Sequence, residues 1–398
     1  MHTSDALITF LISTYNRREI LLRTLGELRK ATRSSGLRTE TIVVDNASTD
    51  GAANAVATEF PEVKLIRGQT NRGACAKNDG LAIARGAFIV FLDDDSFPTG
   101  DSLRQMAAHF AQNPNLGAAV FDITLPDGSH ECSAYPSVFI GCGTGIRRAA
   151  LDQVGGLPDD FFMQAEEYDL SLRLLNGGWE IRRFADLHVR HLKTPGARIP
   201  ARTTRLDVRN NLTLIARRFP RIQILPYAID WMRRYRWIAG EKGRKHKVAF
   251  WRGLGEGMLR SLRLRQRGAV SAEAFEQFSQ IEAIRQRLER TVWKHGAQQI
   301  LLIDVGKNIL AYWKAAKAAG VRVVGIADPK LAKSGRRYRG VPVLNDAAAA
   351  KLAFDLAIVA NSSPVHAAKR LAQWREIESR PVIDLFETQA AKAVSLAA

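Results

Sequence analysis

The stretch FIVFLDDDSFP, residues 88–98, runs five apolar residues straight into Asp93, Asp94 and Asp95. Adjacent carboxylates at the end of a buried strand repel one another and are costly unless positive charge sits among them. A divalent cation meets that need. Asp93 and Asp95, two residues apart, can place one carboxylate on a ribose hydroxyl and the other on Mg2+ or Mn2+. Other polar clusters carry related chemistry. Ser13-Thr14-Tyr15-Asn16-Arg17 offers hydroxyl, phenol, amide and guanidinium groups suited to a base and a phosphate. Asp45 and Asn46 follow the apolar TIVV and can accept from the ring nitrogen of a base or from a ribose hydroxyl. Lys77 and Asn78, inside NRGACAKNDG, stand near a helix start, where free N–H groups and a cation favour pyrophosphate.

A second acidic cluster lies in FFMQAEEYDLSLRLLNGGW, where Glu166, Glu167 and Asp169 open a helix continued by Leu170, Leu172, Leu174 and Leu175. Carboxylates in a first helical turn are favoured by the helix dipole, and a base there can face the ligand edge of a sheet.

The elements that must position these groups alternate. ALITFLIST reads as a strand, REILLRTLGELRKA as a helix with Leu21, Leu22, Leu25 and Leu28 on one face, and TETIVVDNAS as a strand. DGAANAVATEF then reads as a helix, VKLIRG as a strand, ACAKNDGLAIA as a helix and AFIVFLDDD as a strand. This is the strand–helix alternation of a parallel α/β sheet, in which ligands gather beyond the carboxyl ends of the strands. STYNR, DNASTD and DDDS occupy those ends.

At 398 residues the chain exceeds one comfortable core, so two or three domains are expected. With 46% hydrophobic and 25% charged residues it is ordinary globular material, which excludes disordered and collagen-like classes. The longest apolar runs, Ala87–Leu92 and Ile300–Ile303 among them, fall far below the roughly 18 residues of a membrane span. MHTSDALITFLIST lacks a basic leader and a small-residue cleavage site, so it reads as a first strand and a cytoplasmic location is expected. Cys75, Cys132 and Cys142 show no CxxC or Cys/His spacing, which predicts inert, reduced thiols with no disulfide or zinc framework.

The formal charge of +18 is concentrated between Gly196 and Val270, where 19 Lys and Arg face 4 Asp and Glu. This basic helical middle segment, residues 196–295, carries Trp231, Trp237 and Trp251 among its arginines. It would attract nucleic acid, an anionic glycan or a membrane surface. Trp and Tyr beside Arg suit an interfacial helix on anionic lipid, which places peripheral contact at the inner face of a membrane, through Arg233, Arg234 and Arg236. From residue 296, QQILLIDVGKNILAYWKAAKAAGVRVVGIADPK, FDLAIVANSS and RPVIDLFE predict a small Rossmann-like domain ending in a frayed, Ala-rich tail. It keeps only Gly306 of a dinucleotide glycine motif, while Asp328 stands where an acid can hold a ribose.

In order and spacing, ISTYNRREILLRTL, IVVDNASTDG, NRGACAKNDGLAIARGAFIVFLDDDSFP, GCGTGIRRAALDQVGGLPDDFF, AEEYDLSLRLLNGGWEI and HVRH resemble glycosyltransferase family 2, inverting enzymes of the GT-A fold, over residues 6 to about 191. The resemblance implies a nucleotide-sugar-binding GT-A domain over residues 1–195 and a nucleoside diphosphate sugar donor, a UDP- or dTDP-sugar. It also implies a glycan or lipid-linked acceptor. Asp45 would bind the base, Asp93 the ribose and Asp95 the metal, Mn2+ or Mg2+, with Asp94 as a neighbour of unassigned role. The family usually reads Glu-Asp-x-Asp-Leu at the second acidic cluster. The position of its general base is Glu167 here, one methylene longer, with Glu166 and Asp169 kept as alternatives. His191 matches a family histidine near the metal or diphosphate, ahead of His188. The C-terminal part resembles the small Rossmann-like domain of some sugar-nucleotide acetyltransferases. The competing expectation is a catalytically inactive protein that binds glycan or nucleic acid through the basic segment. Intact Asp93, Asp95 and Glu167 weigh against it, and nucleic acid is not the expected partner.

Overall fold

The computed structural model describes residues 7–194, 199–264 and 268–387. Residues 196–198 and 265–267 of the basic segment and the Ala-rich tail lie outside the described residues. The chain divides into two compact units. The first comprises Met1–Ser133, Ser137–Pro220 and Val248–Ala274, and the second Ala134–Pro136, Arg221–Lys247 and Phe275–Ala398.

The first unit begins with β1 (Ile8–Thr14), α1 (Arg18–Ser35), β2 (Thr39–Asp45), α2 (Ala52–Glu59), β3 (Lys64–Arg67), α3 (Lys77–Ile83) and β4 (Phe88–Asp93). It continues through β5 (Ser96–Thr99), α4 (Ser102–Gln112), β6 (Leu116–Thr124), β7 (His130–Glu131), β8 (Thr144–Arg147), α5 (Arg148–Val154), α6 (Glu166–Asn176) and β9 (Glu180–His191). One mixed sheet runs in the order β3-β2-β1-β4-β8-β6-β9-β5, with β7 paired to β6. Its first four strands are parallel, as the alternation predicts. Leu21, Leu25 and Leu28 of α1 share one helical face and pack on Phe10, Ile12, Val43 and Val90. Fully burying each such leucine contributes about 1.5–3 kcal/mol.

Register decides where the acids fall. Thr14 of β1 pairs with Asp45 of β2 and Ser13 with Asp93 of β4, so the three carboxyl ends stand in one row. Since β2 and β4 lie on opposite sides of β1, the sheet reverses its winding there, and a crevice opens at such a point.

Five helices follow: α7 (Pro200–Arg218), α8 (Arg221–Glu241), α9 (Arg244–Leu264), α10 (Ala272–Ser279) and α11 (Ile281–His295). The basic segment is therefore shared between the two units rather than standing alone, because each helix follows the core that takes its apolar face. In the first unit, α9 lies against α7 through Gly253 and Gly257: a Cβ on Gly253 would collide with the Arg205 carbonyl, and one on Gly257 would stand 3.0 Å from that of Arg209. In the second unit, Trp237 and Ile238 of α8 and Ile284, Leu288 and Val292 of α11 join one core. Arg233 lies over the Tyr338 ring at 5.6 Å and Arg234 donates to the Val305 carbonyl at 2.8 Å, so two of the three arginines expected to face lipid are engaged within their own unit.

The second unit's sheet is built from β10 (Gln299–Ile303), β11 (Arg322–Ala327), β12 (Arg337–Tyr338), β13 (Val341–Leu344), β14 (Leu356–Val359) and β15 (Val382–Ile383). Their order is β12-β13-β11-β10-β14-β15, with α12 (Ile309–Ala318), α13 (Asp346–Ala350) and α14 (Pro364–Ile377) between strands. Among the described residues of this sheet only the β12–β13 pair is antiparallel. Among the described residues no helix is long and apolar enough to cross a membrane.

Candidate functional site

The strand-end row carries its acids in unequal states. Asp45 accepts the Ser48 N–H at 3.1 Å through Oδ2, while its buried Oδ1 has no partner. An orphaned buried acceptor costs about 1–3 kcal/mol, a deficit that a donor on a ligand removes. Asp94 is buried and takes the Thr14 hydroxyl at 2.8 Å and Arg17 Nη1 at 2.6 Å. Its burial, with Asp93 and Asp95 alongside, outweighs those partners and pushes its pKa up to about 7. Asp95 is also buried. Its desolvation is overcome by His191, the Thr194 N–H at 2.9 Å and Arg17 Nη2 at 2.9 Å, which hold its carboxyl well below the usual range. Asp93 is half-exposed and faces Lys77 Nζ at 3.4 Å.

The loop residues expected at a nucleotide mostly brace this row. Arg17 and Thr14 are tied to the triplet, Asn16 accepts the Thr49 N–H at 2.7 Å, and Asn46 donates to the Gly73 carbonyl at 3.2 Å and accepts the Arg72 N–H at 2.9 Å. Asn78 donates to the Leu157 carbonyl at 2.8 Å and to Asp159 at 2.9 Å, a fastening that turns its amide to the 157–159 loop. Tyr15 is exposed, and Lys77 is almost wholly buried, 2% exposed.

His191 ends β9. Its Nδ1 lies 2.9 Å from Glu131 and its Nε2 3.2 Å from Asp95. Burial opposes its charge, yet hydrogen bonds with Asp95, Cys142 and Glu131 prevail and push its pKa up to about 12. One ligand atom each from Asp93, Cys142 and His191 lie within 4.8 Å of one another, a grouping that can hold a metal ion. With an acid on each ring nitrogen the ring is held as an imidazolium, and His191 would give up the proton facing Asp95 on ligating a metal while Glu131 keeps the other nitrogen oriented. The group offers one carboxylate oxygen, one imidazole and one thiol, with Asp95 3.2 Å from the same imidazole; the carboxylates and the imidazole suit Mn2+ or Mg2+, and the thiol is the ligand least suited to either. The cysteine in GCGTG, expected to be inert, joins this group, and burial raises its thiol to about 11. His188 lies three residues away on β9, opposite Thr99.

The second acidic cluster depends on a strained approach. Phe162, Gln164 and Ala165 hold φ of 69°, 73° and 69°, left-handed values that non-glycine residues rarely adopt. The segment is fastened from α7. Asn210 Nδ2 lies 2.9, 2.8 and 2.8 Å from the carbonyls of Phe161, Met163 and Gln164, and Arg209 donates to that of Phe161 at 2.8 Å. Asn210 shares the buried stripe of Leu206 and Leu214, and a polar residue in such a stripe was its only sequence signal. The three carboxylates that follow differ. Asp169 is fully buried between Arg173 and Arg218, each at 2.8 Å. Glu166 is buried with Oε2 unpartnered, and burial together with the Glu167 charge raises its pKa well above the usual value. Glu167 is half-buried and accepts the Gly141 N–H at 3.3 Å.

A cleft of about 230 Å3 brings groups from both acidic clusters together, with Lys77, Asp93, Glu131, Gly141, Glu166 and Glu167 in its wall. A buried cation, a sheet-end acid and a helix-start acid on one cleft can hold a diphosphate at one side and accept a proton at the other. Residues 9–125 match the model of the family Glycosyl transferase family 2. These residues form a family 2 glycosyltransferase domain. The matched span carries Asp45, Lys77, Asp93 and Asp95, while Glu131, Cys142, Glu166, Glu167 and His191 lie beyond it.

Relatives agree with this. The chain is 36% identical over 124 residues to the succinoglycan biosynthesis protein ExoO of Rhizobium meliloti, covering 30% of this chain and 35% of that one. It is 26% identical over 186 residues to the UDP-Glc:alpha-D-GlcNAc-diphosphoundecaprenol beta-1,3-glucosyltransferase WfgD of Escherichia coli, covering 43% of this chain and 70% of that one. The chain thus spans about a third of the length of the first of these relatives. Among solved structures, a mannosyltransferase of Pyrobaculum calidifontis in complex with GDP-Man and Mn2+ is 17% identical, covers 79% of this chain and 87% of its own, and has a TM-score of 0.43, a likeness too slight to rest an argument on.

Proposed function

We propose that the protein is a metal-dependent, inverting glycosyltransferase that moves a sugar from a UDP- or dTDP-sugar to a hydroxyl of a glycan or lipid-linked acceptor. The observation that carries this reading is the single cleft bordered by Asp93 at the sheet end and Glu167 at the start of α6. The Escherichia coli relative, named for a UDP-sugar donor and a diphosphoundecaprenol-linked acceptor, supports the same classes of substrate.

In this reading Asp45 accepts from the base through its unpartnered oxygen and Asp93 from the ribose. Asp93, Asp95 and His191 hold Mn2+ or Mg2+, which when bound supplies Lewis-acid stabilisation of the charge growing on the departing diphosphate. Glu167 takes the proton of the acceptor hydroxyl. The freed oxygen attacks the anomeric carbon opposite the diphosphate, the bond to the phosphate oxygen breaks, and its electron pair leaves with the nucleotide. One displacement inverts the anomeric centre without a covalent sugar intermediate. Glu166 is buried, and burial with the Glu167 charge raises its pKa well above the usual carboxylate value, while Asp169 is committed to two arginines, which leaves Glu167 as the base of this reading.

A panel of nucleotide sugars assayed for released nucleoside diphosphate, with Mn2+ and with chelator, tests this. Turnover of one donor that chelator abolishes is expected. Turnover indifferent to chelator removes the metal from the reading, and salt-sensitive binding to nucleic acid without turnover of any donor points to a non-catalytic binder.

A further inference from the structure

Helix α9 presents two opposed faces. One carries Ala249, Phe250, Gly253 and Gly257 and is buried. On the other, Val248, Trp251, Met258, Leu259 and Leu262 are between 54% and 71% exposed. At about 100° per residue these five side chains and Gly255 fall within an arc roughly 100° wide, a continuous apolar stripe about four turns long. Exposed basic residues line its edges: Lys245, Arg252 and Arg263 on one side and Lys247 on the other. The helix's acid, Glu256, lies outside the stripe and pairs with Arg205 of α7 at 2.8 Å, with Arg252 reaching it at 3.1 Å.

We propose that this face of α9 docks on the surface of an anionic lipid bilayer, the helix lying in the plane of the headgroups. Large apolar side chains in a row are unfavourable in water and mark an interaction surface. The rim selects the partner: charges of one sign on both edges match anionic headgroups, while the stripe enters the acyl boundary beneath them and Trp251 sits at the interface. A nucleic acid would answer the charges and leave Leu259 and Leu262 without a partner. Gly253 and Gly257 give the surface its rigidity, since close backbone approach to α7 holds the stripe outward. The surface is independent of the cleft, so it stands whatever the donor proves to be.

Flotation of the full chain with phosphatidylcholine vesicles, with and without about one third phosphatidylglycerol, tests the proposal. Binding to the anionic vesicles alone is expected, with a blue shift of fluorescence that Trp251→Phe removes. The double variant Trp251→Glu, Leu262→Glu is expected to bind at least about tenfold more weakly, and so is Lys245→Glu, Arg263→Glu, at about fivefold per charge. Both should melt at the temperature of the parent protein, because the substituted side chains lie in solvent. Equal vesicle binding by parent and variants overturns the proposal. So does a dimer of the parent that the apolar double variant dissociates, without vesicle binding by either, since the face then belongs to a second copy.

Discussion

Both units set acids just beyond the carboxyl ends of parallel strands, yet the first unit leaves carboxylate oxygens without donors beside the tightly held Asp94 and Asp95, and the second holds its acids throughout. In the second unit Asp328 accepts the N–H groups of Val305, Lys330 and Leu331 at 2.9–3.0 Å, and Asp304 takes Arg370 at 2.7 Å and Asn361 at 3.3 Å. Arg370 is itself held by Asp346 at 2.7 Å. In the loops just beyond β10 and β14 the unpartnered polar atoms, on Asn308 and Ser362, are neutral. In the first unit Asp45 Oδ1 and Glu166 Oε2 are buried without donors, and Asp93 is reached by Lys77 at 3.4 Å. Carboxylates that exhaust their acceptors on their own chain hold loops together. Carboxylates left short of donors are where a ligand has free energy to gain.

The widest test of that contrast is Glu167→Gln, which keeps shape and removes basicity: sugar transfer should fall by about 10²–10⁴-fold while donor binding, read by calorimetry, stays within error. A variant transferring at the parent rate would put the base elsewhere. Asp169→Asn should instead act on stability, by about 3–5 kcal/mol in denaturant unfolding, because it leaves Arg173 and Arg218 with no buried countercharge. Burial works against ionised Asp169, but the two arginines lower its pKa, so its contribution is present above about pH 4 and lost as pH falls through the folded value.

Glu166→Gln sharpens the comparison from the other side. The raised pKa means that the folded state keeps a proton the unfolded chain gives up above about pH 4.5, so parent stability declines with rising pH in that window. In metal-free buffer the variant should gain on the parent by up to about 1.4 kcal/mol per pH unit, seen as a melting-temperature difference larger at pH 8 than at pH 5. A constant difference would mean that Glu166 is ionised in the fold. Asp328→Ala should cost about 1–3 kcal/mol and leave the rate of transfer unchanged. A rate that fell with it would give the second row of acids a share in the chemistry.

The placing of the strand-end acids could be read from residue types, since a loop beyond a parallel strand must face the ligand edge of its sheet, and register does bring Asp45 and Asp93 into one row. Asn78, Asn46 and Thr14 show the limit: each stands in the expected loop, yet each spends its side chain on a neighbouring loop. Cys142 and Asn210 show the converse, one an apparently inert thiol that packs beside Asp93 and His191, the other a helix residue that secures the strained turn before Glu166.

What the sequence by itself determined is the alternation of strand and helix, the order of the acidic loops and the basic bias of the helices after residue 196, because hydrophobic period and residue type are local properties. Tertiary structure alone decided which of those charges are matched. Arg17 meets Asp94 across 77 positions and Arg218 meets Asp169 across 49, and the core each helix joined turned one face of α9 outward. A carboxylate's pKa and an apolar stripe's exposure depend on partners brought in from far along the chain, which no local pattern names.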